Sequence, residues 1–303
     1  MEIVNGVTLR QFTRDLRAEI REDRVTNGAA ALAYYLVLSI FPAAIFLLST
    51  LPYLPIPNLY QAIMDLLHQA LPTEAADLFE GVVQDVTQKR GGLLSFGLIL
   101  TIWAASNGLF AVMQQLNVTY DVKEGRPFWK VRGTAVMLTV MFVLLVLGGF
   151  GLVIFGGVLQ QWIADNLGWS RPLLGAFAAF RWVVILGMLL LGFALTYYFG
   201  PDVEQEFRFI SPGSVFAVIT LGVVSFAFRY YVANFGNYTA TYGTLGAVVI
   251  LLFWLYLAGL VTLVGSEINA LIEHYHPEGK EKGEKEQPEV GRGRRGWLPH
   301  PSR

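Results

Sequence analysis

Charged and amide side chains are scarce in this chain, so the few that interrupt its oily stretches are where chemistry would sit. Asp, Glu, Lys and Arg make up only 15% of 303 residues, against 54% apolar ones. Two groups of polar residues fall at comparable depths of these stretches. The first comprises Tyr34 and Tyr35, then Asn107, Gln114 and Asn117, then Asp202, Glu267 and Asn269. The second comprises Arg181 and Arg229 with Tyr230, Tyr231, Tyr238 and Tyr242. Polar groups in hydrocarbon cost free energy and turn toward a cavity or a neighbouring helix. The first group could therefore line a polar cavity, or simply supply interhelix hydrogen bonds of about 0.6 kcal/mol each. Glu267 is its best candidate for a functional charge, with Arg126, Lys130 or Arg132 of a nearby loop to neutralise it. A tether holding that loop to its helix is the rival role. In the second group, Arg229 lies five residues before Asn234, roughly 7 to 8 Å below the expected membrane boundary. It could snorkel to phosphates there, or join Arg181 and the tyrosines in a pocket for an anionic head group or solute.

Several chemistries find no residues to carry them. The chain has no cysteine, which removes thiolate nucleophiles, thiolate metal sites and disulfides together. Of its four histidines, at 68, 274, 276 and 300, His274 and His276 sit at the start of the tail, and nothing else nearby has ligand spacing. Metal-dependent phosphodiester cleavage needs clustered carboxylates and often histidines. Neither a P-loop nor a G-x-S-x-G elbow occurs. No catalytic residue, metal or cofactor is expected, and the protein reads as something other than an enzyme.

The elements that must position these residues are apolar helices. Leu245 to Ser266 runs 22 residues without a charge. A helix of that length spans about 33 Å, enough for a hydrocarbon core of about 30 Å. Five comparable stretches precede it, giving expected spans at about 29–51, 93–116, 134–162, 181–199, 212–233 and 245–272. The third carries glycines at 148, 149, 151, 156 and 157 that permit close helix contact. Pro42 stands inside the first, where neighbouring helices must satisfy the carbonyl it frees. The segment 58–90 is too polar to span. Leu59, Ile63, Leu66, Leu67 and Ala70 mark one amphipathic helix there, and the 75–86 stretch a second, so an outer helical hairpin is expected. The fold class is thus all-α and polytopic: six transmembrane helices, an N-terminal amphipathic helix and that hairpin.

The segments outside the spans set the orientation. Thr8 to Arg24 places Leu9, Phe12, Leu16 and Ile20 on one helical stripe and Arg10, Arg14, Arg17, Arg21 and Arg24 on another. Either the apolar stripe enters the lipid interface with the arginines on phosphates, or it packs on the bundle and leaves a solvated basic face. Residues 1–28 are polar and basic rather than signal-like, so the first span should be retained. Residues 277–303 turn abruptly to Lys, Glu, Gly, Arg and Pro, the composition of a disordered tail. With the N-terminus inside, seventeen of the 22 Lys and Arg residues fall in segments 1–28, 117–133, 200–211 and 273–303. The positive-inside rule then puts both termini in the cytoplasm. No internal repeat of the kind found in many secondary transporters is evident.

An ordered set of motifs carries a resemblance. AYYLVLSIFP runs from Ala33 to Pro42, SNGLFAVMQQLNVTYDV from Ser106 to Val122, and YGTLG from Tyr242 to Gly246. WLY at 254–256 and GSEINA from Gly265 to Ala270 follow. Together they resemble the YihY/BrkB family of bacterial inner-membrane proteins, once labelled ribonuclease BN, over about residues 10–276. The resemblance implies a six-helix plasma (inner) membrane protein with roles in transport or envelope resistance, and it implies no catalytic set. The function expected is a transporter or flippase-like protein for a small polar or amphiphilic solute. The alternative is a non-transporting envelope scaffold that binds lipid or a partner protein. Membrane lipids and an unidentified small solute are the expected partners, with a homo-oligomer left open and no nucleic acid.

Overall fold

The computed structural model describes residues 2–4, 7–50, 64, 94–167, 170–235, 244–275 and 284. The expected hairpin at 58–90, Tyr238, Tyr242 and nearly all of the tail lie outside these residues. A short hairpin begins the chain: β1 (Glu2–Val4) pairs antiparallel with β2 (Val7–Thr8). Seven helices follow among the described residues. They are α1 (Leu9–Glu22), α2 (Val25–Thr50), α3 (Leu94–Thr119), α4 (Phe128–Leu167), α5 (Arg171–Phe199), α6 (Pro212–Phe235) and α7 (Thr244–Tyr275).

Local chemistry sets several of these boundaries. Thr8 caps α1: its backbone is extended and its hydroxyl accepts the Gln11 N–H at 3.3 Å. Ser211 and Ser214 cap α6 reciprocally, each hydroxyl accepting the other's backbone N–H at 3.1 and 2.9 Å. Pro212 then fills the first helical position, where its missing N–H costs nothing. Proline near the start also explains α5. The helix begins at Arg171, ten residues before the expected span, because Pro172 sits in its first turn and apolar residues continue from there. Arg181 is therefore an interior residue of α5 rather than its edge.

Four helical stretches are long and apolar enough to cross a bilayer: Phe128–Leu167, Pro172–Phe199, Pro212–Val232 and Val248–Tyr275. A shorter apolar stretch, Val25–Ile40, belongs to α2. Their surfaces are oily. None of the apolar window of α5 is buried, and 6% of that of α6. Phe180, Val183, Val223 and Phe226 stand exposed. In water such a surface would aggregate; in lipid it is the solvated face.

Close antiparallel contacts assemble the bundle. α2 meets α3 where Gly28 faces Gln115 and Gly108 faces Ser39. Gly259 of α7 packs against Ala29 and Leu32 of α2. α4 and α5 are matched along their length, Gly148 under Met188, Gly156 under Arg181, and Gln160 donating to the Leu174 carbonyl at 3.4 Å. Thus Gly148 and Gly156 of the glycine-rich span admit α5 side chains, whereas Gly149 and Gly151 face open space. Val25, Ala29, Leu32, Ala111, Leu116, Tyr197 and Leu263 form the core where α2, α3, α5 and α7 converge.

α1 packs part of its apolar stripe on the bundle, while Leu9 at its start stays exposed. Phe12 and Leu16 pack with Ile268, Leu271, Ile272 and Tyr275 of α7 and with Phe216 of α6. The Tyr275 hydroxyl donates to Asp15 at 2.6 Å and fixes the register. Arg10, Arg14, Arg17 and Arg21 are left exposed on the opposite face.

Candidate functional site

One end of the bundle gathers α1, the α3–α4 loop, the α5–α6 loop and the last turns of α7 into a polar layer. Arg126 of the first loop is its hub. Its guanidinium grips Glu124 as a fork, at 2.8 and 2.7 Å, and lies 3.6 Å from Asp202. It also donates to the carbonyls of Phe199 and Gly200 at 3.2 and 2.9 Å. Those carbonyls end α5, so a cation meets the negative end of a helix dipole as well as two carboxylates. Burial raises the Glu124 carboxyl, but hydrogen bonds from Arg126 and Asn117 outweigh it, and the group sits below its ordinary 4.5. Asn117 completes the circuit. It donates to Glu124 at 3.0 Å and accepts the Asp202 N–H at 2.7 Å, while Asp202 accepts the Gly125 N–H at 2.8 Å.

A second circuit ties α7 to its neighbours. Buried Ser266 and Thr119 share a hydrogen bond of 2.6 Å. Tyr197 donates to the Thr262 carbonyl at 2.9 Å. Asn269 accepts the Gly213 N–H at 2.8 Å and donates to Ser211 at 3.1 Å, clamping the start of α6.

Glu267 stands between the circuits and joins neither. It is 1% exposed, and its Oε1 accepts no hydrogen bond among the described residues. The expected neutralising arginines are engaged elsewhere. Arg126 is held by Glu124 and Asp202, and buried Arg132 stacks 4.1 Å from the Trp103 ring and donates to the Trp103 carbonyl. Instead, the tight turn between α1 and α2, with Arg24 at φ 50°, carries Asp23 to the Glu267 carboxyl. Glu19 and Asp121 also act on it electrostatically. Asp23 was not recognised in the sequence because it lies outside the apolar spans; only a docked α1 brings it in. Two carboxyls in one buried place offer reversible proton binding. Among the described residues no three carboxylates or histidines gather closely enough to hold an ion.

The other expected residues fall differently. Tyr34, Tyr35, Asn107 and Gln114 are exposed and stand apart from the buried layer. Helix pitch is the reason. Tyr34 lies about 160° around α2 from Leu32 and Leu36, which take the core side. At the far end, Arg181 lies across Gly156 and Gly157, its Nε and Nη1 buried without a partner among the described residues. Arg229, Tyr230 and Tyr231 are on the exposed face of α6. Tyr238 and Tyr242 lie outside the described residues.

Comparison with known proteins now has a geometry to attach to. The family model described as virulence factor BrkB matches residues 16–290. The chain belongs to the BrkB virulence-factor family. It is an integral membrane protein of that family, in company with relatives named as membrane proteins. A ribonuclease-like protein, YfkH of Bacillus subtilis (strain 168), is 40% identical over 262 residues, 86% of this chain and 94% of that one. UPF0761 membrane proteins of Xanthomonas campestris pv. campestris and Xanthomonas axonopodis pv. citri are 26% identical over 277 residues, 88% of this chain. The chain spans 62 and 63% of the length of those two relatives. No solved structure matches it. The BrkB match takes in α2 to α7 and all of the polar layer except the first half of α1.

Proposed function

We propose that this BrkB-family protein is a transporter or flippase-like protein for a small polar or amphiphilic solute, working without an ATP site, cofactor or catalytic centre of its own. Six crossings, a plasma (inner) membrane location and cytoplasmic termini complete the reading. The distribution of Lys and Arg supports that orientation. It places the polar layer at the cytoplasmic face.

One observation carries the proposal: the buried Glu267 carboxyl, with an oxygen that has no partner among the described residues, beside Asp23. A structural tether would use both oxygens, as Glu124 does. An ionisable group kept at a helix end with spare capacity suits binding and releasing a proton or a cationic solute group. Asp23 sits on the turn between α1 and α2, so a change in charge at the pair bears directly on the docking of α1. The test is flux in proteoliposomes, using an acyl-labelled phosphatidylglycerol scored by dithionite bleaching and a panel of radiolabelled amino acids and sugars. Glu267→Gln should slow the transported probe at least about ten-fold, a barrier increase of about 1.4 kcal/mol. Glu204→Gln, on the exposed α5–α6 loop, should leave it unchanged. Full flux in Glu267→Gln, or no flux of any probe with wild-type protein, would overturn the reading.

A further inference from the structure

The arginine face of α1 remains unexplained by transport. Packing of Phe12 and Leu16 on α7 and α6 pins α1 to the end of the membrane domain and turns its other face outward. That face forms an open groove of about 800 Å³ along the helix, lined by Thr8, Gln11, Thr13 and the four arginines at 10, 14, 17 and 21. Among the described residues no carboxylate lines it. Of the four guanidinium groups, Arg14 is paired with Asp15, at 3.1 Å and with its side chain 77% exposed, where such a bond is weak. The arginines recur every three or four residues, so the row from Arg10 to Arg21 extends about 16 Å.

We infer that this groove docks the anionic head groups of the membrane leaflet on the α1 side. The occupant follows from what the groove has and lacks. A row of exposed guanidiniums offers forked donors to several phosphates at once. The groove is open along its length rather than closed around one small anion. It holds no aromatic ring on which a nucleobase could stack, the usual partner of basic residues at single-stranded nucleic acid sites. α1 packs on Ile268, Leu271, Ile272 and Tyr275, just past the uncharged run of α7, which is the level at which lipid phosphates concentrate. The inference stands whether or not the protein transports anything.

The absence of native cysteine makes the test direct. Thr26→Cys, exposed in the first turn of α2, takes a fluorescent donor next to α1. The full chain is placed in phosphatidylcholine vesicles containing traces of phosphatidylglycerol or phosphatidylcholine that bear the same acceptor on an acyl chain. At low salt, energy transfer to phosphatidylglycerol should exceed that to phosphatidylcholine several-fold, each arginine contributing roughly five-fold to local affinity. The preference should vanish in the Arg10, Arg14, Arg17 and Arg21→Gln variant and in about 0.5 M NaCl. The salt arm needs no variant, and Arg14→Gln with Arg17→Gln gives a milder one should the fourfold change disturb folding. Equal transfer to both lipids in the wild type would overturn the inference. So would loss of the preference on adding inorganic phosphate or a single-stranded oligonucleotide when NaCl of equal ionic strength preserves it.

Discussion

Gly213→Ala is the substitution on which the arrangement of the polar layer bears most sharply. A Cβ at Gly213 would overlap the Gly265 carbonyl oxygen and lie 2.7 Å from Cγ and Nδ2 of Asn269. The first of these is backbone of α7 and cannot rotate away. Carbon and carbonyl oxygen approach no closer than about 3.3 Å, so α6 and α7 must separate by about 1 Å. That stretches the 2.8 Å bond from the Gly213 N–H to Asn269 beyond hydrogen-bonding range. Overpacking costs about 1–3 kcal/mol and the lost bond about 1 kcal/mol, so about 2–4 kcal/mol together. For a chain of this size that lowers Tm by roughly 5–15 °C. The assay is thermal unfolding of detergent-solubilised protein followed by tryptophan fluorescence. Gly133→Ala is the control, because nothing lies within 4 Å of a Cβ there and alanine favours helix. Gly265→Ala should resemble Gly213→Ala, and the double variant should cost less than the two singles added. If Gly213→Ala melted at or above the wild-type temperature, as Gly133→Ala should, the close α6–α7 crossing would be wrong.

Other consequences are smaller but separable. The Glu124 carboxyl is held below its ordinary 4.5, so the stability it contributes is complete above that value and drains as pH falls through its lowered one. Accordingly, the Tm difference between wild type and Arg126→Gln should be full at neutral pH and shrink below 4.5. Ser266→Ala removes a buried partner of Thr119 and should cost about 0.5–1.5 kcal/mol, read as a Tm decrease without loss of insertion. Tyr275→Phe breaks the bond to Asp15 and should speed amide hydrogen exchange across α1 while leaving α4 and α5 unchanged.

What could be read from the sequence, and what could not, divides along physical lines. Apolar stretches and the amphipathic spacing of α1 are local, so the span boundary at Pro212 and the motif Gly265–Ala270 already marked the places where α6 begins and α7 turns polar. Membership in the family was visible in the same motifs. Pairing was not. Which arginine meets which carboxylate depends on loop conformation, and the fork of Arg126 on Glu124 uses residues two apart in a loop that periodicity says nothing about. Facing was half visible. The rotation of α2 about its axis, which turns Tyr34 and Tyr35 away from the core, depends on where Gly28 and Gly259 let neighbouring helices approach. Asp23 was hidden for a third reason: its role comes from tertiary docking of a segment outside the spans. The hairpin of β1 and β2 did leave a local sign, the Asn5-Gly6 dipeptide between two valine-bearing segments, which is a strong turn signal.

Single-cysteine labelling of this cysteine-free chain tests the arrangement most directly. Cysteines at Ala18, Lys123, Glu204 and Asn166 would be probed with a membrane-impermeant maleimide on intact cells and after permeabilisation. Ala18, Lys123 and Glu204, on α1 and the two loops of the polar layer, should react only after permeabilisation, whereas Asn166, near the far end of α4, should react at once. Labelling that split the first three positions between the two faces would contradict that arrangement.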